Sequence, residues 1–103
     1  TMIFDEVDVG VGGSAAQKIA EKLKTISKNR QVIVITHLAQ IASFADNHYL
    51  IKKSVENENT YSEVTLLDEN ERIDEIARII SGSVITDSAR ATATEMISMA
   101  KSF

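Results

Sequence analysis

An α/β fold with a parallel sheet is the architecture that the sequence predicts. An apolar run ends one strand near the beginning of the chain, a β-branched run forms a second strand, and a helical pattern lies between them. Two strands that are joined through a helix run parallel, and the crossover between them is right-handed. At 103 residues the chain has the size of one compact domain.

Three segments define this βαβ unit. Residues 2–4 are predicted to end the first strand, and Gly10, Gly12 and Gly13 follow before the helix. Residues 32–35 are a continuous run of valine and isoleucine, which is typical of parallel strands that are covered on both faces. Helical spacing of apolar side chains predicts the helix at residues 14–28, through Ala16, Ile19, Ala20, Leu23 and Ile26.

The remaining chain predicts an edge hairpin and two C-terminal helices. A short helix at residues 38–45 precedes two strands, residues 48–54 and 60–67, which a polar loop joins at the edge of the sheet. Gly82 is expected to end the first of the two C-terminal helices, and Thr86 is a candidate N-cap for the second. The apolar positions that mark these helices are Ile73, Ile76, Ala77, Ile80, Ala89, Ala93, Met96, Ile97 and Ala100.

Composition and charge exclude several classes of protein. A net charge of −4 disfavours a free-standing nucleic-acid binder, because phosphate contacts need a basic face. The absence of cysteine removes disulfides, thiolate metal sites and cysteine nucleophiles. No apolar run approaches the ~18 residues that a membrane span needs, and no charged-then-apolar leader is present, so no membrane partner is expected.

Acidic residues follow the first predicted strand directly, and this placement predicts a ligand site. Asp5 and Glu6 end the apolar run, and Asp8 precedes the glycine turn. One interpretation is a dinucleotide site, because residues 10–15 match the pattern G-x-G-x-x-G/A. This interpretation is disfavoured because the acids would repel a pyrophosphate, and because His37 rather than an acid follows the second strand.

Two further interpretations use the acids themselves. In a receiver-type phosphoacceptor site a later strand should end in aspartate, and His37 occupies the comparable position. In a Walker B element of a nucleoside triphosphatase, Asp5 holds Mg²⁺ through water, and Glu6 orients or deprotonates the attacking water. His37, at the end of the neighbouring strand, then donates a hydrogen bond to the γ-phosphate. The Walker B interpretation gives every one of these residues a chemical task.

The ordered motifs resemble one family of ATPases over essentially the whole chain. They are IFDEVDVGVGG at residues 3–13, VITHLAQIASFADNHYLIKK at residues 34–53, and EIARIISG at residues 75–82. Together they are similar to the C-terminal lobe of an ABC-type P-loop ATPase head, within the RecN family of SMC-like proteins of bacterial DNA repair and recombination. The resemblance implies that residues 1–103 form the part of such a head that runs from Walker B onward.

The resemblance also implies a role for the acids and the histidine. Asp5 is expected to be the Walker B acid that binds ATP-associated Mg²⁺, Glu6 the catalytic glutamate, and His37 the switch histidine that contacts ATP. These are the roles that the Walker B interpretation assigns to them. His48 has no comparable neighbours and is expected to be structural.

A second group of residues is implied to face another ATPase head. It forms the D-loop, which meets the opposite head in an ATP-dependent dimer. The D-loop aspartate of the wider class falls at Gly12 in this chain, so its role is not transferred. The residues expected at this interface are Asp8, Gly10, Gly12 and Gly13.

No phosphate loop of the form G-x-x-x-x-G-K-[ST] is present in the sequence. In the family that loop lies far upstream, beyond a coiled coil. We therefore expect a C-terminal fragment that needs the N-terminal part of the same head to bind ATP and Mg²⁺, and that is inactive alone. DNA is expected to be bound through the full-length protein, in the bacterial cytoplasm at the nucleoid. The alternative function is nucleotide binding or dimerisation without hydrolysis.

Overall fold

The computed structural model describes residues 1–5, 13–82 and 84–103. Its strands and helices follow the predicted α/β order, so the predicted βαβ unit, hairpin and C-terminal helices are confirmed. In chain order the elements are β1 (Met2–Asp5), α1 (Gly13–Ser27), β2 (Val32–Ile35), α2 (Ala39–Ala42), β3 (Tyr49–Glu56), β4 (Asn59–Leu66), α3 (Glu69–Ser81) and α4 (Asp87–Lys101).

The parallel pair β1–β2 forms the sheet that carries the candidate site. Met2 lies opposite Val32, and Asp5 lies opposite Ile35, so both strands end at the same edge. Side chains alternate between the faces of a strand, and one face is half-buried while the other is exposed. Helix α1 contacts β2 and buries Ala16 and Ala20. Within the described residues, only one face of this sheet is therefore covered.

Helix α2 is a single turn that follows β2 after three residues. The sequence predicts a longer helix, at residues 38–45. Helix α2 is shorter than this prediction, although backbone hydrogen bonds continue to Phe44 and Ala45. The amides of Ile41 and Ala42 both donate to the carbonyl of Leu38, at 3.2 and 3.0 Å. These bonds tie the turn to the residues that leave the parallel sheet.

The β3–β4 hairpin differs from its prediction in two respects. The polar loop expected at residues 55–59 is a two-residue turn, because Asn57 and Glu58 adopt φ of 51° and 66° and the ladder continues to Glu56 opposite Asn59. Positive φ at both central residues is the geometry of a tight hairpin turn. Among the described strands the hairpin is also a separate two-stranded sheet and does not pair with the edge of β1–β2.

Capping residues set the ends of the two C-terminal helices. Asp68 and Glu71 form a reciprocal capping box at the start of α3, which is not among the features predicted from the sequence. Gly82 ends α3 with φ of 84°, and Thr86 accepts the amide of Ala89 at 3.0 Å, so both predicted helix boundaries are confirmed. Gly82 tolerates this positive φ because glycine has no Cβ.

The hydrophobic core lies between α2, α3 and α4. Ile76 is its largest fully buried side chain, and alanines on all three helices allow close approach of their backbones. The members of this cluster are Ala39, Ala42, Ile76, Ala77, Ala89, Ala93 and Ile97. Helix α2 is therefore part of the same packed unit as the C-terminal helices. No helix in the described ranges is long and apolar enough to cross a membrane.

Candidate functional site

Asp5 lies at the carboxyl end of β1, on the exposed face of the parallel sheet. The alternation along the strand places it on the same face as Ile3, and the register places Ile33 and Ile35 on that face as well. Burial of the apolar side chains on the opposite face fixes this alternation, since a shift of one residue would reverse both faces. The carboxylate is therefore presented outward, where a ligand can reach it.

His37 follows the carboxyl end of the neighbouring strand. Strand β2 ends at Ile35, opposite Asp5, and Thr36 and His37 are the next two residues. The Thr36 hydroxyl accepts the amide of Leu38 at 3.1 Å, which fixes the backbone around the exposed histidine. The parallel register thus brings Asp5 and His37 to one edge of the sheet, as the sequence predicts.

Four of the predicted site residues lie outside the described residues. These are Glu6, Asp8, Gly10 and Gly12. Gly13 is described as the first residue of α1. The predicted catalytic and D-loop roles of this segment stay predictions; β1 ends before it and α1 begins after it.

Asp5 is a suitable oxygen donor for Mg²⁺, but it does not form a complete metal site in the described part of the chain. No group of three or more His, Asp or Glu side chains is arranged there to hold a metal ion. Mg²⁺ usually keeps several waters and binds through one or two carboxylates together with phosphate oxygens. An exposed carboxylate at a strand end fits that mode of binding, with the remaining ligands supplied by water and nucleotide.

A concavity of about 110 Å³ lies elsewhere on the described surface. Lys24, Arg72 and Lys101 contribute to its lining, whereas neither Asp5 nor His37 does. Two of its cations are already paired with acids, Lys24 with Asp46 and Lys101 with Glu69 at 3.0 Å. The candidate site is therefore an open edge of the sheet rather than this concavity.

Sequence reasoning missed Arg72, a buried cation on α3. Its side chain is 7% exposed, and Nη2 donates to the carbonyls of Ala42 and Ser43 at 3.2 and 2.8 Å. Burial lowers the pKa of Arg72, and the nearby carboxylates of Glu69 and Asp46 oppose that change. The available signal was its position one helical turn before Ile76, on the stripe of α3 that faces the core.

Comparisons with known proteins identify the family. No protein-family model matches the chain. The DNA repair protein RecN of Deinococcus radiodurans is 52% identical over 83 residues, which is 81% of this chain. RecN of Streptomyces coelicolor is 42% identical over 98% of the chain, and RecN of Bacillus subtilis is 43% identical over 97%. The chain belongs to the RecN family. The resemblance inferred from its motifs is confirmed.

The chain spans less than one fifth of the length of these RecN proteins. The matched regions are 15% of the protein from D. radiodurans, 18% of that from S. coelicolor and 17% of that from B. subtilis. The RecN relatives therefore show the family of this segment, but they do not by themselves show the activity of the whole protein. The roles of Asp5, Glu6 and His37 likewise remain predictions.

One solved structure has a fold similar to that of this chain. It comes from work on ATP-driven dimerization and DNA-stimulated activation of SMC ATPases. It covers 77% of this chain and 47% of its own, with a TM-score of 0.60 and 25% sequence identity. The predicted fold class, part of an SMC-type ATPase head, is confirmed by this similarity.

Proposed function

We propose that this chain supplies half of an ATPase site in an SMC-like protein of DNA repair. The observation that carries the proposal is the parallel register that brings Asp5 and His37 to one strand edge, in a chain of the RecN family. Residues 1–103 would form the C-terminal part of an ATPase head, with the phosphate-binding loop on the N-terminal part. The relatives named as DNA repair proteins and SMC ATPases support this coarse assignment.

In this proposal each side chain performs one step of phosphoryl transfer. Asp5 would bind the Mg²⁺ that neutralises charge on the phosphates, with water between the carboxylate and the ion. Glu6 would accept a proton from the attacking water, and His37 would donate a hydrogen bond to the γ-phosphate. Most of the catalytic effect would come from the positions of these groups, because phosphoryl transfer requires little covalent chemistry from the protein.

Two exposed apolar faces support the N-terminal part of the head as a partner. Ile3, Ile33 and Ile35 are exposed on the face of the parallel sheet that carries Asp5. The hairpin exposes a second apolar face, formed by Tyr49, Ile51, Val55, Val64 and Leu66. Contiguous apolar surface of this kind marks a protein–protein contact. A covering lobe beside Asp5 would also be placed to supply the missing phosphate-binding groups.

A second ATPase head is the other proposed partner. The similar SMC ATPase structure comes from work on ATP-driven dimerization. In this chain Asp8, Gly10, Gly12 and Gly13 are the candidate D-loop residues for such a contact. DNA would be engaged by the full-length protein, since the net charge of this segment is −4.

Substitutions in the full-length protein test the proposal. Glu6→Gln should lower kcat for ATP about 100-fold or more while leaving ATP binding intact, because the amide cannot accept the proton. Asp5→Ala should weaken Mg²⁺-dependent binding of ATP. Glu95→Gln on α4 makes the same chemical change at an exposed position and should leave the rate unchanged. Steady-state ATPase assays and nucleotide-binding titrations provide the measurements.

The alternatives predict different results. An unchanged ATPase rate in Glu6→Gln would favour nucleotide binding without hydrolysis. Full activity in Asp5→Ala, together with self-association that does not respond to ATP, would favour a dimerisation module. The 103-residue chain by itself should show no turnover, since its sequence lacks a phosphate loop. Measurable hydrolysis by the isolated chain would contradict the division of the site between two parts of the head.

A further inference from the structure

Helix α2, the single turn that follows the candidate switch histidine His37, is stabilised by contacts with α3. Helix α2 contains only four residues, Ala39–Ala42. A helix of one turn is not stable by itself, because nucleation costs more than its few hydrogen bonds return. Its position must therefore depend on contacts with the rest of the fold. Burial of Ala39 and Ala42 in the core cluster, together with burial of Ile41, provides part of that support.

Arg72 provides the polar part of that support. Its Nη2 donates to the carbonyls of Ala42 and Ser43 at 3.2 and 2.8 Å, at the C-terminal end of α2. Carbonyls at a helix end carry partial negative charge and lack partners within the helix. A buried guanidinium that bonds two of them forms charge-assisted hydrogen bonds, and its planar shape fixes their relative direction.

An unbroken series of hydrogen bonds connects this contact to the segment that carries His37. The Thr36 hydroxyl accepts the Leu38 amide at 3.1 Å, and the Leu38 carbonyl accepts the amide of Ala42 at 3.0 Å. Ser43 donates its amide to the carbonyl of Ala39 at 3.0 Å, and its hydroxyl donates to the same atom at 2.5 Å. A displacement at the end of α2 would therefore move the backbone that follows β2.

We propose that Arg72 is a positioning residue that holds α2, and through it His37, in the geometry needed for ATP hydrolysis. Arg72 itself lies on α3 and acts through the backbone of Ala42 and Ser43. The inference rests on the proposed function of His37. It adds to that function a mechanical link between the strand edge and the C-terminal helices, which pack with α2 in one core.

The proposal predicts a particular kinetic pattern in the full-length protein. Arg72→Met should lower kcat about 10-fold with little change in KM, because an error of about 1 Å in the position of a reacting group can cost up to 10²-fold. Arg72→Lys keeps the charge without the planar fork and should recover part of the rate. Arg78→Met removes an exposed arginine from the same helix and should leave kcat unchanged.

A double-mutant cycle separates positioning from general stabilisation. If Arg72 acts through His37, then Arg72→Met should have no further effect on kcat once His37 is alanine. Amide hydrogen exchange adds a readout that does not depend on activity. Exchange at residues 38–44 should accelerate in Arg72→Met and not in Arg78→Met, while exchange in α1 stays the same.

Other results would contradict the proposal or the function of His37 on which it rests. An equal loss of kcat from Arg72→Met in the wild-type and His37→Ala backgrounds would overturn the proposal, as would unchanged exchange at residues 38–44. If His37→Ala alone has no effect on kcat, the proposed function of His37 fails, and the role of Arg72 fails with it. If Arg72→Met does not fold, the same cycle with Arg72→Lys decides between additive and non-additive effects.

Discussion

His48 lies half-buried just before β3, and its Nδ1 has no hydrogen-bond partner among the described residues. Its backbone carbonyl accepts the amide of Leu67 at 2.9 Å, so the residue is held at the base of the hairpin. Burial lowers the pKa of His48 below its ordinary value of 6.5, and the positive charge of Arg72 lowers it further, while Glu75 opposes both. The neutral imidazole is therefore the form that the folded chain favours.

This depressed pKa predicts that acid destabilises the fold. Below about pH 6.5 the unfolded chain binds the proton and the folded chain does not, so the free energy of unfolding falls as the pH falls. The loss is complete once the pH is below the folded-state pKa. Urea unfolding of the wild type and of His48→Gln between about pH 7.5 and 5 provides the measurement.

The comparison of His48→Gln with the wild type tests this prediction. His48→Gln should show a shallower fall of stability with acid than the wild type, because one titrating group has been removed. If His48→Gln and the wild type have the same slope, burial does not control the protonation of His48.

At the scale of elements, the packing of α3 against α4 buries a large part of the hydrophobic core in the described chain. Ile76 on α3 is 0% exposed and lies in the cluster that contains Ala93 and Ile97 of α4. Ile80, one turn later on the same helix, is 40% exposed. The two residues have the same side chain and lie on the same helix but differ in burial, so a comparison of them isolates the effect of burial on stability.

We expect Ile76→Ala to lower the free energy of unfolding by about 2–5 kcal/mol, since it leaves a cavity in a packed core. Ile80→Ala should cost less than Ile76→Ala, because Ile80 is 40% exposed and part of the removed surface already faces solvent. Chemical denaturation of the two variants measures the difference. Equal losses would show that α3 does not pack on α4 through Ile76.

Most elements with strong local signals are predictable from the sequence, although the local capping box of Asp68 and Glu71 is not among the predictions. Thr86 and Gly82 mark helix ends through capping chemistry that acts within a few residues, so both boundaries are correct. The hairpin turn was predicted too long because Asn57-Glu58 lacks the glycine that usually signals positive φ. Ladder pairing on either side imposes that backbone conformation, and such pairing is not visible in a local pattern.

At the scale of the whole molecule, both sheets expose large apolar side chains. The hairpin presents Tyr49, Ile51, Val64 and Leu66 on one face, and each is about half exposed or more. The opposite face of the same hairpin is more polar: it carries the cross-strand pair Lys52–Glu63, although Tyr61 is also exposed there. This asymmetry is the one expected of a surface that a partner lobe covers.

Replacing Ile51 and Val64 with threonine should therefore have different effects in the isolated chain and in the full-length protein. In the isolated chain, self-association should decrease and stability should change by less than about 0.5 kcal/mol per substitution, because both side chains are exposed. In the full-length protein the same pair should lower the unfolding temperature of the ATPase head. Light scattering and thermal unfolding report the two effects.

The opposite face of the hairpin supplies the control. Replacing Lys52 and Glu63 with threonine changes the same two strands on the face without the apolar cluster, and should leave the unfolding temperature of the head unchanged. An equal decrease from both pairs would mean that the apolar face is not covered selectively. No decrease from either pair would contradict the proposed contact with the N-terminal part of the head.

The sequence by itself determined the family, the βαβ order and the identity of the candidate site residues. Motifs such as the Asp-Glu pair after an apolar strand are local, and their chemistry is contained in a few neighbouring residues. Only the tertiary structure decided that, among the described residues, nothing covers one face of the parallel sheet, and that Arg72 reaches the end of α2. The contact of Arg72 joins segments about 30 residues apart in the sequence. Burial likewise depends on residues that are distant in the sequence and pack together in the fold, rather than on any local pattern.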